Sequence, residues 1–84
     1  MKELSQSYNL AQRVIADLKM AIHNTLFQKP NGLSNAEIGR LLGIYHGHSG
    51  QHEGHISRVL LEHMRAEGTI EQNESTKKWA LKNI

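Results

Sequence analysis

The chain has 84 residues, 38% of them apolar and 21% charged, with six histidines, no cysteine and a formal net charge of +2. That length gives one domain (residues 1–84) with no room for a second core, and the missing cysteine excludes disulfides and thiolate metal sites. No apolar run approaches a bilayer span and MKELSQSYNL lacks the apolar centre of a signal peptide, so a cytoplasmic chain with no membrane partner is expected.

A first long helix is predicted over about 5–27, capped by Ser5 or Ser7. Leu4, Tyr8, Ala11, Ile15, Leu18 and Ile22 follow helical spacing and make one apolar stripe. Leu10, Val14, Met20 and Ala21 widen the stripe beyond one face. This is more apolar surface than a small core needs. Two uses stand open: covering the C-terminal strands, or a homodimer contact along this helix.

Lys29-Pro30-Asn31-Gly32 ends that helix, because Pro30 cannot continue it and Asn-Gly favours a turn. Leu33 is placed as a one-residue strand stub. Ser34 and Glu37 have the spacing of a capping box, which starts a second helix with Ile38, Leu41 and Leu42 facing inward. Gly39 costs helix stability, and a small residue there permits a close approach by the next helix. Gly43 is placed at the helix stop.

Residues 45–55 have no helical period, and Gly47, Gly50 and Gly54 mark a loop. The third helix begins near Ser49 or near Glu53, with Ile56, Val59, Leu60 and Met64 as its inner stripe, and ends at Gly68. Thr69-Ile70-Glu71 and Lys77-Lys78-Trp79-Ala80-Leu81 alternate like strands on either side of a polar turn at 72–76. Trp79 and Leu81 then face the same way, under a hairpin spanning about 69–82.

A net charge of +2 says little by itself, but Lys77, Lys78 and Lys82 cluster near the C-terminal hairpin, and Arg40 and Arg58 flank the glycine-rich turn. Polar side chains at the start of the third helix are Ser49, Gln51, His52, His55, Ser57 and Arg58. Gln pairs with adenine and Arg with guanine through two hydrogen bonds each, and a helix N-terminus attracts phosphate. His48, on the loop just before, is a further donor. Ser75 and Thr76 are candidate phosphate donors on the hairpin turn. His46, His48, His52 and His55 fall close together, with Glu53 the nearest acid. A structural zinc site usually includes cysteine or a carboxylate, so donors to phosphate or bases are the preferred role, and no metal or other cofactor is expected. There is no catalytic triad, no phosphate-binding glycine loop, and His52-Glu53-Gly54-His55 does not have HExxH spacing. No enzyme activity is expected.

The strings LSNAEIGRLLGI and ISRVLLEHMRAEGTIEQ, with Trp79-Ala80-Leu81 closing the hairpin, resemble the winged helix-turn-helix superfamily of DNA-binding domains. The resemblance covers roughly residues 10–84. It is similar to small bacterial or phage modules, including those appended to restriction nucleases. It implies an α+β fold with a three-helix core (helix-turn-helix over about 34–67) and a C-terminal β-hairpin wing. It also implies that residues 51–67 enter the major groove while the wing touches backbone or minor groove. The expected function is double-stranded DNA binding, in transcription regulation or DNA targeting, through Arg40, His48, Ser49, Gln51, His52, His55, Arg58, Lys77 and Lys78. Two alternatives are a protein-interaction module using the same fold and a metal-responsive regulator using the histidines.

Overall fold

A computed structural model describes residues 2–45 and 54–82, without the side chains of residues 2 and 3. The described chain is α+β. Helices α1 (Lys2–Phe27), α2 (Asn35–Leu41) and α3 (His55–Ala66) precede strands β1 (Ile70–Gln72) and β2 (Trp79–Leu81), which form an antiparallel hairpin.

α1 starts before the serine-capped position expected near residue 5, so Ser5 and Ser7 lie inside the helix. No glycine or proline interrupts residues 2–27, and an exposed serine costs a helix well under about 1 kcal/mol. The helix stops where Pro30 requires it, with the Lys29 amide donating to Leu26 O at 3.0 Å and Gly32 to Lys29 O at 2.8 Å.

The core is one cluster. α1 gives Ile22 and Leu26, α2 gives Ile38, α3 gives Leu60, Leu61 and Met64, and Leu33, Ile70 and Trp79 complete it. Ile15 and Leu18 of α1 pack at its edge. Only the C-terminal part of α1 therefore enters the core. The surplus apolar residues of its N-terminal half do not cover the hairpin: Leu4 is 61% exposed and Tyr8 64%, and Leu10 and Val14 are exposed as well.

α2 is short and fully capped. The Glu37 amide donates to Ser34 Oγ at 3.1 Å, and the Ser34 amide donates to Glu37 Oε1 at 2.9 Å. At the other end, Gly43 donates to Arg40 O and Ile44 to Gly39 O, which satisfies carbonyls that the helix leaves open. α3 closes the same way, with Gly68 donating to Arg65 O and Thr69 to Met64 O. Both stops need a positive φ, 72° at Gly43 and 82° at Gly68, where glycine is favoured.

Two helix faces differ from expectation. Leu41, placed inward from sequence, is exposed. On α3 the buried set is Ser57, Leu60, Leu61 and Met64, while Ile56 and Val59 are left exposed. Both shifts have one cause, the contact between α2 and α3. A Cβ on Gly39 would lie 3.1 Å from Ser57 Oγ and 2.8 Å from the Tyr45 ring. With Gly39 and Ser57 on the facing sides of the two helices, helical spacing leaves Leu41, Ile56 and Val59 off the core.

The hairpin pairs Ile70 with Leu81, Glu71 with Ala80 and Gln72 with Trp79. Trp79 is buried and Leu81 half-buried against the core, as period-two alternation requires. Leu33 forms the expected one-residue strand stub, and its partner is Trp79, with reciprocal backbone bonds of 2.9 and 2.7 Å. Each strand is shorter than its expected span. Lys77 lies outside β2 because its φ of 63° places it in the left-handed region.

Candidate nucleic-acid interface

The junction of α2 and α3 is built around buried hydrogen bonds. Ser57, fully buried, donates its hydroxyl to Asn35 Oδ1 at 2.7 Å and lies 3.1 Å from Gly54 O. The Asn35 amide nitrogen donates to the same Gly54 carbonyl at 3.1 Å. The first residue of α2 is thereby tied to the start of α3. Ser57 was counted among the polar residues available to a ligand, and its burial removes it from that role. Its hydroxyl holds the helix pair together.

α3 begins at His55, near the later of the two expected starts, with Gly54 as N-cap at a φ of 76°. The expected recognition segment over 51–67 thus corresponds to a helix over His55–Ala66. Glycine has no side chain to cap the first turn, so the amides and the positive dipole end there favour an anion. A Cβ on Gly54 would come within 2.5 Å of Tyr45 Cε1 and 2.6 Å of Asn35 Nδ2, so this position must be glycine on space as well as on φ.

Tyr45 is the residue that sequence reasoning missed. Its ring packs against Gly39 and Gly54, and Arg40 lies over it with the guanidinium carbon 4.7 Å from the ring centroid. Arg40 is exposed on α2, as expected, and the aromatic face fixes where its charge sits. The only available signal was an aromatic residue at the edge of a glycine-rich turn. Asn35 was also missed, since it reads as an ordinary first-turn residue beside the Ser34 cap.

On α3, His55 and Arg58 are exposed one turn apart, with Arg58 Nη2 3.4 Å from His55 Nδ1. Arg65 falls on the same flank as Arg58, pairs with Glu62, and lies over the Trp79 ring at 5.7 Å.

The hairpin turn is organised by Asn73, whose Oδ1 accepts from the amides of Ser75 at 2.8 Å and Thr76 at 2.9 Å. Lys77 and Lys78 are both exposed in this turn region, so neither lies against the Trp79 face as strand alternation would have placed one of them. Lys77 Nζ is 3.6 Å from Glu74. Lys78 reaches the start of α2. Its Cβ would be 3.2 Å from one on Gly32, and its charge together with that of Lys29 contributes to holding the Glu37 carboxyl below the usual range. The larger causes of that lowering are the two Ser34 hydrogen bonds.

The structure therefore sets Arg40 over Tyr45, which packs against Gly54 at the start of α3, places His55 beside Arg58 on α3, and sets Lys78 beside Glu37 at the start of α2. Among the described residues the ion pairs within 4 Å are Lys19–Glu67, Arg65–Glu62 and Lys77–Glu74, so Arg40 and Arg58 have no carboxylate partner there, while Lys78 acts on Glu37 from a longer distance. His48, Ser49, Gln51 and His52, and with them His46, lie outside the described residues. Among the described residues no group of three or more His, Asp or Glu side chains has a metal-binding arrangement.

Comparison with protein-family models, with curated proteins and with solved structures gives no match.

Proposed function

We propose that this chain is a winged helix-turn-helix domain that binds double-stranded DNA, with α3 presented to the major groove and the β1–β2 hairpin as the wing. The observation that carries the reading is the α2–α3 pair locked through Asn35, Ser57 and Gly54, directly followed by a hairpin, with Arg40 and Arg58 exposed and without a carboxylate partner among the described residues. Arg40 and Lys78 supply phosphate contacts, which position the domain without reading sequence. Arg58 and His55 are the described side chains best placed to reach base edges, and one two-bond arginine–guanine contact is worth about 1–3 kcal/mol of discrimination. The role is regulation of transcription or targeting of a partner protein to DNA, in the cytoplasm, with no catalytic step in this chain.

The test is an NMR titration of labelled protein with a random-sequence duplex at low and moderate salt. Amide shifts concentrated at residues 40–45, 54–58 and 73–78, weakening as salt rises, are the expected result. Arg58→Ala weakens binding by roughly 5- to 150-fold with the fold intact, the range that about 1–3 kcal/mol for a two-bond contact implies. No shifts at low salt sink the reading.

A second reading, a protein-interaction module, is favoured by one observation: the apolar N-terminal half of α1 is exposed. Fold alone does not separate the two readings. A duplex titration without shifts, together with a partner that protects α1 from exchange, would select the second.

A further inference from the structure

We propose that two copies of this chain pair across α1, antiparallel and related by a two-fold axis, each copy's Leu4 and Tyr8 docking on the apolar surface of the other. The proposal does not use Arg40, Arg58 or Lys78, but its groove on α3 is lined by His55, which the DNA reading also uses.

The stripe on α1 supplies the first argument. Tyr8, Ile15 and Ile22 alternate with Leu4, Ala11 and Leu18 at steps of three and four, the seam pattern of paired helices. At its C-terminal end this seam is the core itself, where Ile22 is buried and Ile15 and Leu18 are packed at the edge. At its N-terminal end the same seam runs out of the domain with Leu4 and Tyr8 bare. A seam continuous with a core, and of the same composition, is an unfinished one.

The second argument is shape. Ile15 and Leu18 line a groove of about 390 Å³ with Ile56, Val59 and Leu60 of α3, with His55 and His63 completing its lining. The molecule thus carries projecting apolar groups at one end of the stripe and an apolar recess at the other. An antiparallel copy fits both at once. With Leu4 opposite the partner's Ile15, Tyr8 falls opposite the partner's Ala11, a large residue against a small one. The symmetry operation repeats each contact, as a closed two-fold interface requires.

Charge and area identify the occupant as a second copy. Residues 4–12 contain no charged side chain, so two copies of this segment meet without repulsion. A whole aromatic side chain has on the order of 150–250 Å² to bury, and aliphatic ones have less. Leu4, Tyr8, Val14, Ile56 and Val59, each 42% exposed or more, put several hundred Å² on each copy. With the polar flank of α1 this approaches the roughly 800 Å² per partner of a standard interface. The same interface covers Ile56 and Val59, the α3 residues that the Gly39–Ser57 contact leaves off the core.

Sedimentation of the full chain over a concentration series tests this. The expected mass is twice 9.5 kDa at tens of micromolar (roughly). Tyr8→Glu and Val59→Glu, at exposed positions that leave the core untouched, each weaken dimerisation by at least about tenfold with an unchanged circular dichroism spectrum. Leu41→Glu, at an equally exposed leucine on α2, leaves the dimer intact. A wild-type chain that stays monomeric at high concentration overturns the proposal. So does a dimer that survives Tyr8→Glu, or one broken by Leu41→Glu alone.

Discussion

The α2–α3 junction and the N-terminal half of α1 contain similar residues under opposite conditions. At the junction, Ile38 is buried, the Ser57 hydroxyl is bonded, and Gly39 and Gly54 leave no space for a Cβ. Along residues 4–14 of α1, leucine, tyrosine and valine side chains stand in solvent. A helix can form on backbone hydrogen bonds and propensity, yet its apolar face gains nothing until another surface covers it. The first region is thus where the chain stores its own stability. The second is where it has surface left for another molecule.

Substitutions at the two regions separate these roles. Ile38→Ala removes a fully buried side chain and costs about 2–5 kcal/mol, measured by urea unfolding. An effect under about 1 kcal/mol would mean that the junction is not part of the cooperative core. Ser57→Ala is the next largest. It leaves Asn35 Oδ1 without its 2.7 Å donor in a buried setting and costs about 1–3 kcal/mol, although the shape of the site hardly changes.

Ser34→Ala removes the cap of α2 and costs about 1 kcal/mol at neutral pH. It also changes the response to acid. The Glu37 pKa is lowered in the folded chain, mainly by the Ser34 hydrogen bonds. Its contribution is therefore present above the ordinary carboxylate pKa and lost as pH falls through the lowered folded value. Unfolding followed from neutral to acidic pH shows a shallower loss in Ser34→Ala than in wild type. Equal slopes would remove Glu37 from the linkage.

The smallest effect belongs to α1. Leu4→Ala changes the stability of the dilute, monomeric chain by less than about 0.5 kcal/mol, because the side chain leaves little contact behind. A larger loss at low concentration would show that Leu4 is covered within one chain, and the contrast between the two regions would disappear.

Much of the local structure was legible in particular residues. Pro30 and Asn31-Gly32 stopped the first helix, Ser34 and Glu37 started the second, Gly43 and Gly68 closed the next two, and Leu33 formed a one-residue strand stub. These features depend on backbone groups and side chains a few residues apart, or on a single strongly apolar partner. The candidate site was less legible. Arg40, His55, Arg58, Lys77 and Lys78 were found exposed, but Ser57 was assigned outward, and Tyr45 and Asn35 were passed over.

The amino-acid sequence by itself determined where the helices stop and where α2 begins, since caps, prolines and glycines act over one or two turns. Only the tertiary structure decided which way α2 and α3 face. A serine set against a glycine brought the helices close enough to bury a hydroxyl on Asn35, and helical spacing then left Leu41, Ile56 and Val59 off the core. It decided the fate of α1 as well. The stripe reads alike along its length, and a core closed, among the described residues, by nine buried side chains leaves its N-terminal half exposed. Periodicity records which residues share a face; how much of that face is covered depends on the area the remaining elements can offer.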